Sequence, residues 1–255
     1  MEIFLDYNRL KQRDKAVLMG LFLSRFDTEA LESFGFTGFR QAYNVLGYSV
    51  GILPKSIQNY RDEFDPYYPN ARKGWRNRQL RDFCKELKEA TDSLSFDEFY
   101  QIIKNFVEDE YIEIADYQRQ NKKERKFTAN RLITGKAAEE YFVMNYQRVA
   151  LFQTCSLQDT TNLGCGFDFK LSNDNERYYI EVKGLNESRG NIMLTEKEYR
   201  VADELRDKYC LFVVSNFRQT PYHTLFFNPL YTNNLSFQRQ EREIIQVSYT
   251  ANLLL

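Results

Sequence analysis

The stretch that decides the fold runs Gly166-Phe-Asp-Phe169 and resumes, ten residues later, as Ile180-Glu-Val-Lys-Gly184. Apolar and polar residues alternate in both halves, as they do along a β-strand that buries one face. Side chains two positions apart on a strand share a face, so Glu181 and Lys183 point the same way. If the two strands pair as an antiparallel hairpin, Asp168 reaches the face that carries Glu181 and Lys183. The two phenylalanines beside Asp168 are then expected to face the core.

The elements around this stretch predict a C-terminal α/β domain built on a mixed sheet. Their order is helix, strand, strand, helix, strand, which is typical of layered α/β folds. The first helix begins at Gly135, strands are expected at 167–169, 178–182 and 210–215, a second helix covers 195–206, and a late edge strand is expected at 244–249. Thr195 and Glu198 have the spacing of a capping box, which marks the start of the second helix.

Two carboxylates and an ammonium on one surface are the groups that metal-dependent phosphodiester cleavage requires. The hard oxygens of Asp168 and Glu181 suit Mg²⁺, which keeps several waters and accepts a phosphate oxygen. Lys183 can orient the attacking water and balance charge in the transition state. A bare Glu-x-Lys tripeptide is weak, because such a pair usually serves solubility or a cross-strand ion pair. An acid inside an apolar alternation and a glycine at the strand end, Gly184, strengthen it.

The first ~115 residues are predicted to be helical, because their apolar residues recur at helical spacing. A helix-turn-helix outline lies among them: a short helix around Phe39–Leu46, glycines at 47 and 51, and a second helix from Lys55 to Phe64 behind Pro54. The other stripes are Val17, Leu18, Leu21 and Phe22; Leu80, Phe83, Cys84 and Leu87; and Phe99, Ile102, Ile103 and Phe106, the last behind a capping box of Ser95 and Glu98.

A basic strip follows the helix pair, since residues 70–81 carry five arginines or lysines and no acid around Trp75. Such a strip is a candidate for phosphate contact. The alternative is a solvated loop whose Trp75 fills the core of the small domain. The candidate DNA contacts of this region are Asn59, Arg61, Arg72, Lys73, Trp75, Arg76 and Arg78.

Three regions are therefore predicted: a helical, DNA-reading part at 1–115, a basic connector at 116–131, and the α/β domain at 132–255. From 117 to 131 there are six basic residues and one glutamate, a net charge of +5. This connector could touch a nucleic-acid backbone, and a plain solvated hinge is an equal alternative.

The composition narrows the classes of function. The 255 residues carry a net charge of −1, so any contact with phosphates must come from local patches rather than from the whole surface. Four dispersed cysteines and one histidine, His223, which is expected in a turn, argue against a zinc site. No signal peptide or membrane-spanning apolar run is visible, so a cytoplasmic protein without membrane contact is expected.

Four runs in this order resemble the PD-(D/E)xK nuclease superfamily: Asn162–Asp168, Tyr179–Gly184, Ile192–Glu198 and Phe212–Asn216. The closest resemblance, over roughly 130–220, is to the restriction-endonuclease-like domain at the C-terminus of NO VEIN-type proteins in bacterial restriction and phage defence. It implies that Asp168, Glu181 and Lys183 match the two acids and the lysine of the superfamily motif, and that Glu139 is the helical glutamate that many members add. Phe167 stands where the superfamily has its proline. Residues 57–66 and 72–75 also resemble a segment of bacterial restriction-type proteins.

The leading hypothesis is a Mg²⁺-dependent DNA endonuclease of restriction or defence type, in which Mn²⁺ can substitute. Its expected partners are double-stranded DNA, a second copy of the chain in a homodimer, and a cognate methyltransferase. One alternative is a catalytically silent DNA-binding or regulatory protein. Another is a nuclease whose substrate is RNA or modified DNA, because backbone chemistry is similar in all three.

Overall fold

The computed structural model describes residues 10–72, 74, 75, 78–107 and 122–241. Within them the chain forms seven α-helices and one five-stranded sheet, an α+β arrangement as expected. The helices are α1 (Gln12–Ser33), α2 (Phe39–Ser49), α3 (Pro54–Phe64), α4 (Asp82–Thr91), α5 (Phe96–Val107), α6 (Lys122–Asn145) and α7 (Glu196–Leu205). The strands are β1 (Ser156–Asp159), β2 (Phe169–Ser172), β3 (Arg177–Gly184), β4 (Tyr209–Ser215) and β5 (Tyr222–Phe227).

Helix α1 is the centre of the N-terminal helices. All residues from Ala16 to Ser24 are buried, on every side of the helix rather than along one stripe. A helix that is apolar all round must be surrounded by other elements. The ring of Phe22 accordingly lies 5.3–6.3 Å from the rings of four other phenylalanines, Phe26, Phe34, Phe96 and Phe99. The predicted apolar stripes of α4 and α5 are buried as well, apart from Leu80 and Phe83, which are half-buried. The Ser95 hydroxyl caps α5 by accepting the Glu98 amide.

The sheet has the order β1-β2-β3-β4-β5. Only β3 and β4 run parallel, joined through α7, and the three other pairs are antiparallel. The predicted mixed sheet and the β2–β3 hairpin are therefore confirmed. Strands β1 and β5 were not predicted, and β5 contains His223, which the sequence places in a turn.

The turn assignment of His223 is wrong because its ring packs into the aromatic core. It stacks on Phe212 with ring centroids 4.7 Å apart, and the hydroxyl of Tyr141 lies 3.2 Å from its Nδ1 atom. Burial lowers the pKa of His223, and the nearby Arg148 lowers it further.

Helix α6 covers one face of the sheet. The ring of Phe142 lies 5.0 Å from Phe169 and 4.9 Å from Phe212. Phe169 is opposite Ile180 in the register and Phe212 is opposite Val182, so these four side chains share that face. Glu181 and Lys183 consequently point to the other face, where α7 lies.

Helix α6 begins at Lys122 and not at Gly135. Residues 122–131 of the predicted connector are thus helical, which fits the good helix propensity of Lys, Arg and Glu. Further along α6, the Asn130 side chain donates to the carbonyls of Phe34 and Gly35 at 3.1 and 3.3 Å. The apolar core is continuous from the N-terminal helices to the sheet. Independent domains at 1–115 and 132–255 remain a prediction.

A set of polar side chains, which we call the polar junction, joins α2 and α6 to the loops after β3 and β4. The amide of Asn186 accepts from Gln41 at 2.9 Å and donates to Asn130 at 2.8 Å. Asn44 donates to the carbonyls of Phe217 and Gln219 at 2.7 and 2.8 Å. One face of α2 therefore holds both loops at the carboxyl ends of the parallel strands.

Several sequence predictions fall outside the described residues: the edge strand at 244–249, the first part of the connector, Lys73 and Arg76. Among the residues that are described, no helix combines the length and apolar character that crossing a membrane requires.

Candidate functional site

Asp168 is fixed at the start of the β2–β3 hairpin. Its amide donates to the carbonyl of Ile180 at 2.8 Å, and its Oδ2 atom accepts the Val182 amide at 2.7 Å. A carboxylate oxygen therefore takes a backbone amide of β3 as its donor, which fixes the orientation of the side chain. Asp168 precedes β2, which begins at Phe169, rather than lying inside it.

The chain enters this position through a tight turn, which corrects part of the predicted strand. Gly166 has a φ of 91°, and a Cβ atom there would lie 2.8 Å from the Val201 side chain. The turn keeps Phe167 out of the sheet, so its half-buried ring packs on Tyr179 with centroids 4.9 Å apart. Of the two phenylalanines expected in the core, only Phe169 is there, at 2% exposure.

Glu181 and Lys183 point to the same side of β3, as the period of two predicts. The Lys183 ammonium lies 2.5 Å from Glu181 Oε1 and 2.9 Å from Glu198 Oε2. The Glu181 side chain is only 3% exposed, against 23% for Lys183 and 17% for Glu198. The site is thus a buried acid with a partly exposed cation above it.

Glu198 is the site residue that sequence reasoning missed. Its capping box with Thr195 is confirmed: the Glu198 amide donates to Thr195 Oγ1 at 3.2 Å, and Glu198 Oε2 accepts the Thr195 amide at 3.0 Å. From the sequence, the capping-box spacing already accounts for the Glu198 carboxylate as part of the start of a helix. Nothing in the sequence shows that this helix end docks on β3 beside Lys183.

The three charges shift one another. Burial raises the pKa of Asp168 to about 6, although the Val182 amide and then Lys183 oppose the rise. Burial, and next the charge of Asp168, raises the pKa of Glu181 to about 8, against the lowering effect of Lys183. Burial lowers the pKa of Lys183, but the carboxylates of Glu181 and Glu198 outweigh it and leave that pKa raised. Both acids therefore resist ionisation, because burial and the neighbouring carboxylate disfavour their charged forms.

Glu139, the helical glutamate that the resemblance implies, lies half-buried on α6, and its role in the site stays a prediction. The Phe142 ring of the same helix packs on the face of the sheet opposite to Glu181 and Lys183. A second helical acid, Glu198 of α7, is bonded to Lys183.

Two of the candidate DNA contacts are engaged inside the protein. Arg72 donates twice to Asp65, at 2.8 and 2.9 Å, and once to Asp27, at 3.0 Å. Arg61 is 9% exposed and bonds Asp62 at 2.6 Å. Both guanidinium groups lie over the ring of Phe39. Neighbouring aspartates therefore compensate the charges of both arginines. These ion pairs hold the segment after α3 against the N-terminal helices.

The other described candidates are more accessible. Arg78 is exposed and stacks on the Trp75 ring, with its Cζ atom 5.1 Å from the centroid. Trp75 is half-buried, and its amide donates to the Asp62 carbonyl at 2.8 Å. Asn59 is half-buried on α3. Of the basic strip, the pair of Trp75 and Arg78 offers a cation and an aromatic face to a partner.

The oxygen donors of the site determine whether it can hold a divalent cation. No group of three or more His, Cys, Asp or Glu side chains stands ready to hold a metal in residues 10–72, 74, 75, 78–107 and 122–241. Mg²⁺ is commonly bound by one or two carboxylates together with waters and substrate phosphates, rather than by a protein cage. Asp168 and Glu181 fit the pattern of one or two carboxylates, and the pKa of both is raised because the charged forms are poorly solvated.

The mixed sheet has a helix on each face and carries two acids and a lysine at its central hairpin, an arrangement consistent with the PD-(D/E)xK superfamily. Residues 138–227 match the family model described as Protein NO VEIN, C-terminal. The match includes Asp168, Glu181, Lys183 and Glu198. Comparisons with curated proteins and with solved structures give no significant match.

Proposed function

We propose that this protein is a metal-dependent DNA endonuclease of restriction or defence type, with Asp168, Glu181 and Lys183 as its catalytic residues. The observation that carries the proposal is the meeting of the three groups on one side of β3. Asp168 is bound to the Val182 amide and Lys183 is bound to Glu181. The β2–β3 hairpin brings Asp168, which directly precedes β2, to the two residues of β3.

A structural role explains this arrangement poorly. Burying two carboxylates beside each other is costly, and apolar residues of similar volume usually serve stability as well or better. Perturbed acids in contact with a lysine are characteristic of sites that act on a ligand. A divalent cation held by Asp168 and Glu181 would compensate their charge and stabilise the charge that develops on a phosphate.

The chain's own groups then have distinct tasks. The Val182 amide orients Asp168, so that its other carboxylate oxygen is free of this bond. The Lys183 side chain is 23% exposed, against 3% for Glu181, so its ammonium can reach a scissile phosphate and a water beside it. Gly184 follows directly and is pressed against α6, since a Cβ there would lie 2.7 Å from the Thr134 carbonyl. This contact fixes the end of the catalytic strand.

The choice of double-stranded DNA rests on the N-terminal helices. Helices α2 and α3 follow each other closely, in the order that a helix-turn-helix requires. Trp75 and Arg78 present a ring and a cation just beyond them. Cleavage of both strands by one site per chain suits a homodimer, and a cognate methyltransferase would protect host DNA.

The test is a cleavage assay on purified protein with Mg²⁺, Mn²⁺ or EDTA. The substrates are unmodified, methylated and hydroxymethylated duplex DNA and a matched RNA, with the product ends mapped. We expect metal-dependent cleavage of DNA that Lys183→Ala abolishes while DNA binding persists. Lys170→Ala is the matched control, because Lys170 lies on β2 of the same sheet and outside the site.

Three outcomes would overturn parts of the proposal. Equal cleavage by wild type and Lys183→Ala excludes Lys183 from the chemistry. DNA binding without cleavage of any substrate, under either metal, favours the catalytically silent DNA-binding alternative. Cleavage of RNA alone, or of modified DNA alone, keeps the nuclease and changes its substrate.

A further inference from the structure

The Lys183 ammonium is hydrogen-bonded from two sides. Its Nζ atom bonds Glu181 on its own strand at 2.5 Å and Glu198 on α7 at 2.9 Å. In the proposed function the Glu181 carboxylate has a second role, because it is also a candidate metal ligand. A lysine that depended on Glu181 alone would compete with the cation for that carboxylate.

We propose that Glu198 is a positioning residue for Lys183, which holds the ammonium in place and so leaves the Glu181 carboxylate available to a divalent cation. This inference rests on the proposed function. Glu198 acts through Lys183 and touches neither the metal nor the substrate. No role is assigned to it by the family match or by the superfamily motif of two acids and a lysine.

The carboxylate of Glu198 is suited to this task because it is itself immobilised. Glu198 Oε2 accepts the Thr195 amide at 3.0 Å, within the capping box. Helix α7 is in turn fixed on the sheet by Ala202, which is fully buried, and by Val201 against Gly166. A lysine has a flexible four-carbon stem, so its position depends on a rigid partner of this kind.

A purely structural alternative is that Glu198 only caps α7. The two roles are separable, because glutamine retains a carbonyl oxygen that can accept the Thr195 amide and removes the charge. Glu198→Gln therefore tests the partnership with Lys183. Glu98→Gln is the matched control, since Glu98 occupies the same capping-box position behind Ser95 at the start of α5, far along the chain from the hairpin.

The experiment is a double-mutant cycle on the full chain, read by calorimetric titration with Mn²⁺ in the absence of nucleic acid. The variants are Glu198→Gln, Lys183→Met and the double variant. We expect Glu198→Gln to weaken Mn²⁺ binding by about fivefold or more, because the ammonium is left with Glu181 as its partner. In the Lys183→Met background, where no ammonium competes, most of this loss should disappear.

Cleavage kinetics give a second reading. Glu198→Gln should lower kcat by about tenfold or more, with KM for DNA changed less than about threefold, because Glu198 does not contact the substrate. Glu98→Gln should match wild type in Mn²⁺ affinity and in both kinetic constants.

The outcomes separate this inference from the proposed function. If wild type binds Mn²⁺ and cleaves DNA but Glu198→Gln behaves like it, the inference fails and the nuclease stands. An equal loss of affinity in both backgrounds also overturns it, because Glu198 would then act on the cation without Lys183. If wild type neither binds Mn²⁺ nor cleaves, the proposed function and the inference fail together.

Discussion

The half-buried Asp168 and the buried Glu181 have consequences for stability that can be measured without any substrate. Burial raises the pKa of both carboxyl groups above the value near 4 that they have in an unfolded chain. The native state therefore holds more protons than the unfolded state between about pH 4 and pH 8. By linkage, this contribution to stability is present at low pH and is lost as pH rises through the window.

We expect Asp168→Asn to be more stable than wild type at pH 8, and the advantage to shrink towards pH 5. Asparagine retains an oxygen for the Val182 amide and removes the buried charge. The measurement is Tm at several pH values with EDTA present. Asp174→Asn, an exposed acid in the β2–β3 turn, is the control and should leave the profile unchanged. A variant that loses Tm at pH 8 would contradict this account.

For single residues, the sequence predicts which site side chains meet when these residues lie on neighbouring strands. The alternation around Asp168 and Glu181 predicts which face each side chain takes, because strand geometry has a period of two. Glu198 could not be found in this way. Its contact with Lys183 depends on how α7 docks on the sheet, and that docking is decided by Val201, Ala202 and the turn at Gly166.

Among the elements, α7 depends on its cap. Thr195→Ala removes the hydroxyl that accepts the Glu198 amide, and should cost about 1 kcal/mol of unfolding free energy. Urea unfolding monitored by circular dichroism measures this. Thr232→Ala, a threonine outside the helices and strands, is the control. No change in stability would mean that the cap contributes nothing in solution.

Two arginines in the segment after α3 are expected to respond differently to replacement by alanine: Arg72 through stability and Arg78 through DNA affinity. Arg72→Ala leaves Asp65, whose side chain is 0% exposed, without its bidentate partner, and should destabilise the fold by about 3 kcal/mol. Arg78→Ala removes an exposed cation, so Tm should be retained while DNA affinity falls and its salt dependence drops by about one unit. Thermal unfolding and binding titrations over a range of salt measure both. An unchanged salt slope for Arg78→Ala would exclude this arginine from phosphate contact.

The elements that the sequence failed to predict share a physical cause. Strand β1 is short and mostly exposed, so it has no apolar alternation to mark it. Strand β5 alternates weakly, and its place is set by pairing with the buried strand β4. The first turns of α6 are highly charged and lack an apolar stripe. In contrast, α4 and α5 were predicted because each has one buried face and a polar one.

In the part of the chain that the structure describes, one continuous apolar core and the polar junction hold the helices and the sheet together. Because the core is continuous from α1 to the sheet, we expect the chain to unfold in a single transition. The only tryptophan, Trp75, reports on the N-terminal helices by fluorescence, and hydrogen exchange of β3 and β4 amides reports on the sheet. Separate transitions would instead support independent domains at 1–115 and 132–255.

The polar junction should also influence the site. Asn186→Ala leaves the Gln41 Nε2 atom without its acceptor and the Asn130 Oδ1 atom without its donor, which should cost about 1–3 kcal/mol. Because Asn186 lies three residues after Lys183, we expect kcat for cleavage to fall more than DNA affinity does. Asn175→Ala, on the exposed β2–β3 turn, is the control. Equal kcat in wild type and Asn186→Ala would show that the junction only stabilises the fold.

The hydrogen bonds from α2 to the loops after β3 and β4 have a consequence for how the DNA specificity of the proposed nuclease can change. Gln41 and Asn44 are spaced one turn apart and must meet two specific loops at once. Transplanting the N-terminal helices of a relative would break this fit unless both loops came with them. New specificity should therefore arise by small substitutions on the outer surface of α3 and beside Trp75, rather than by exchange of whole modules.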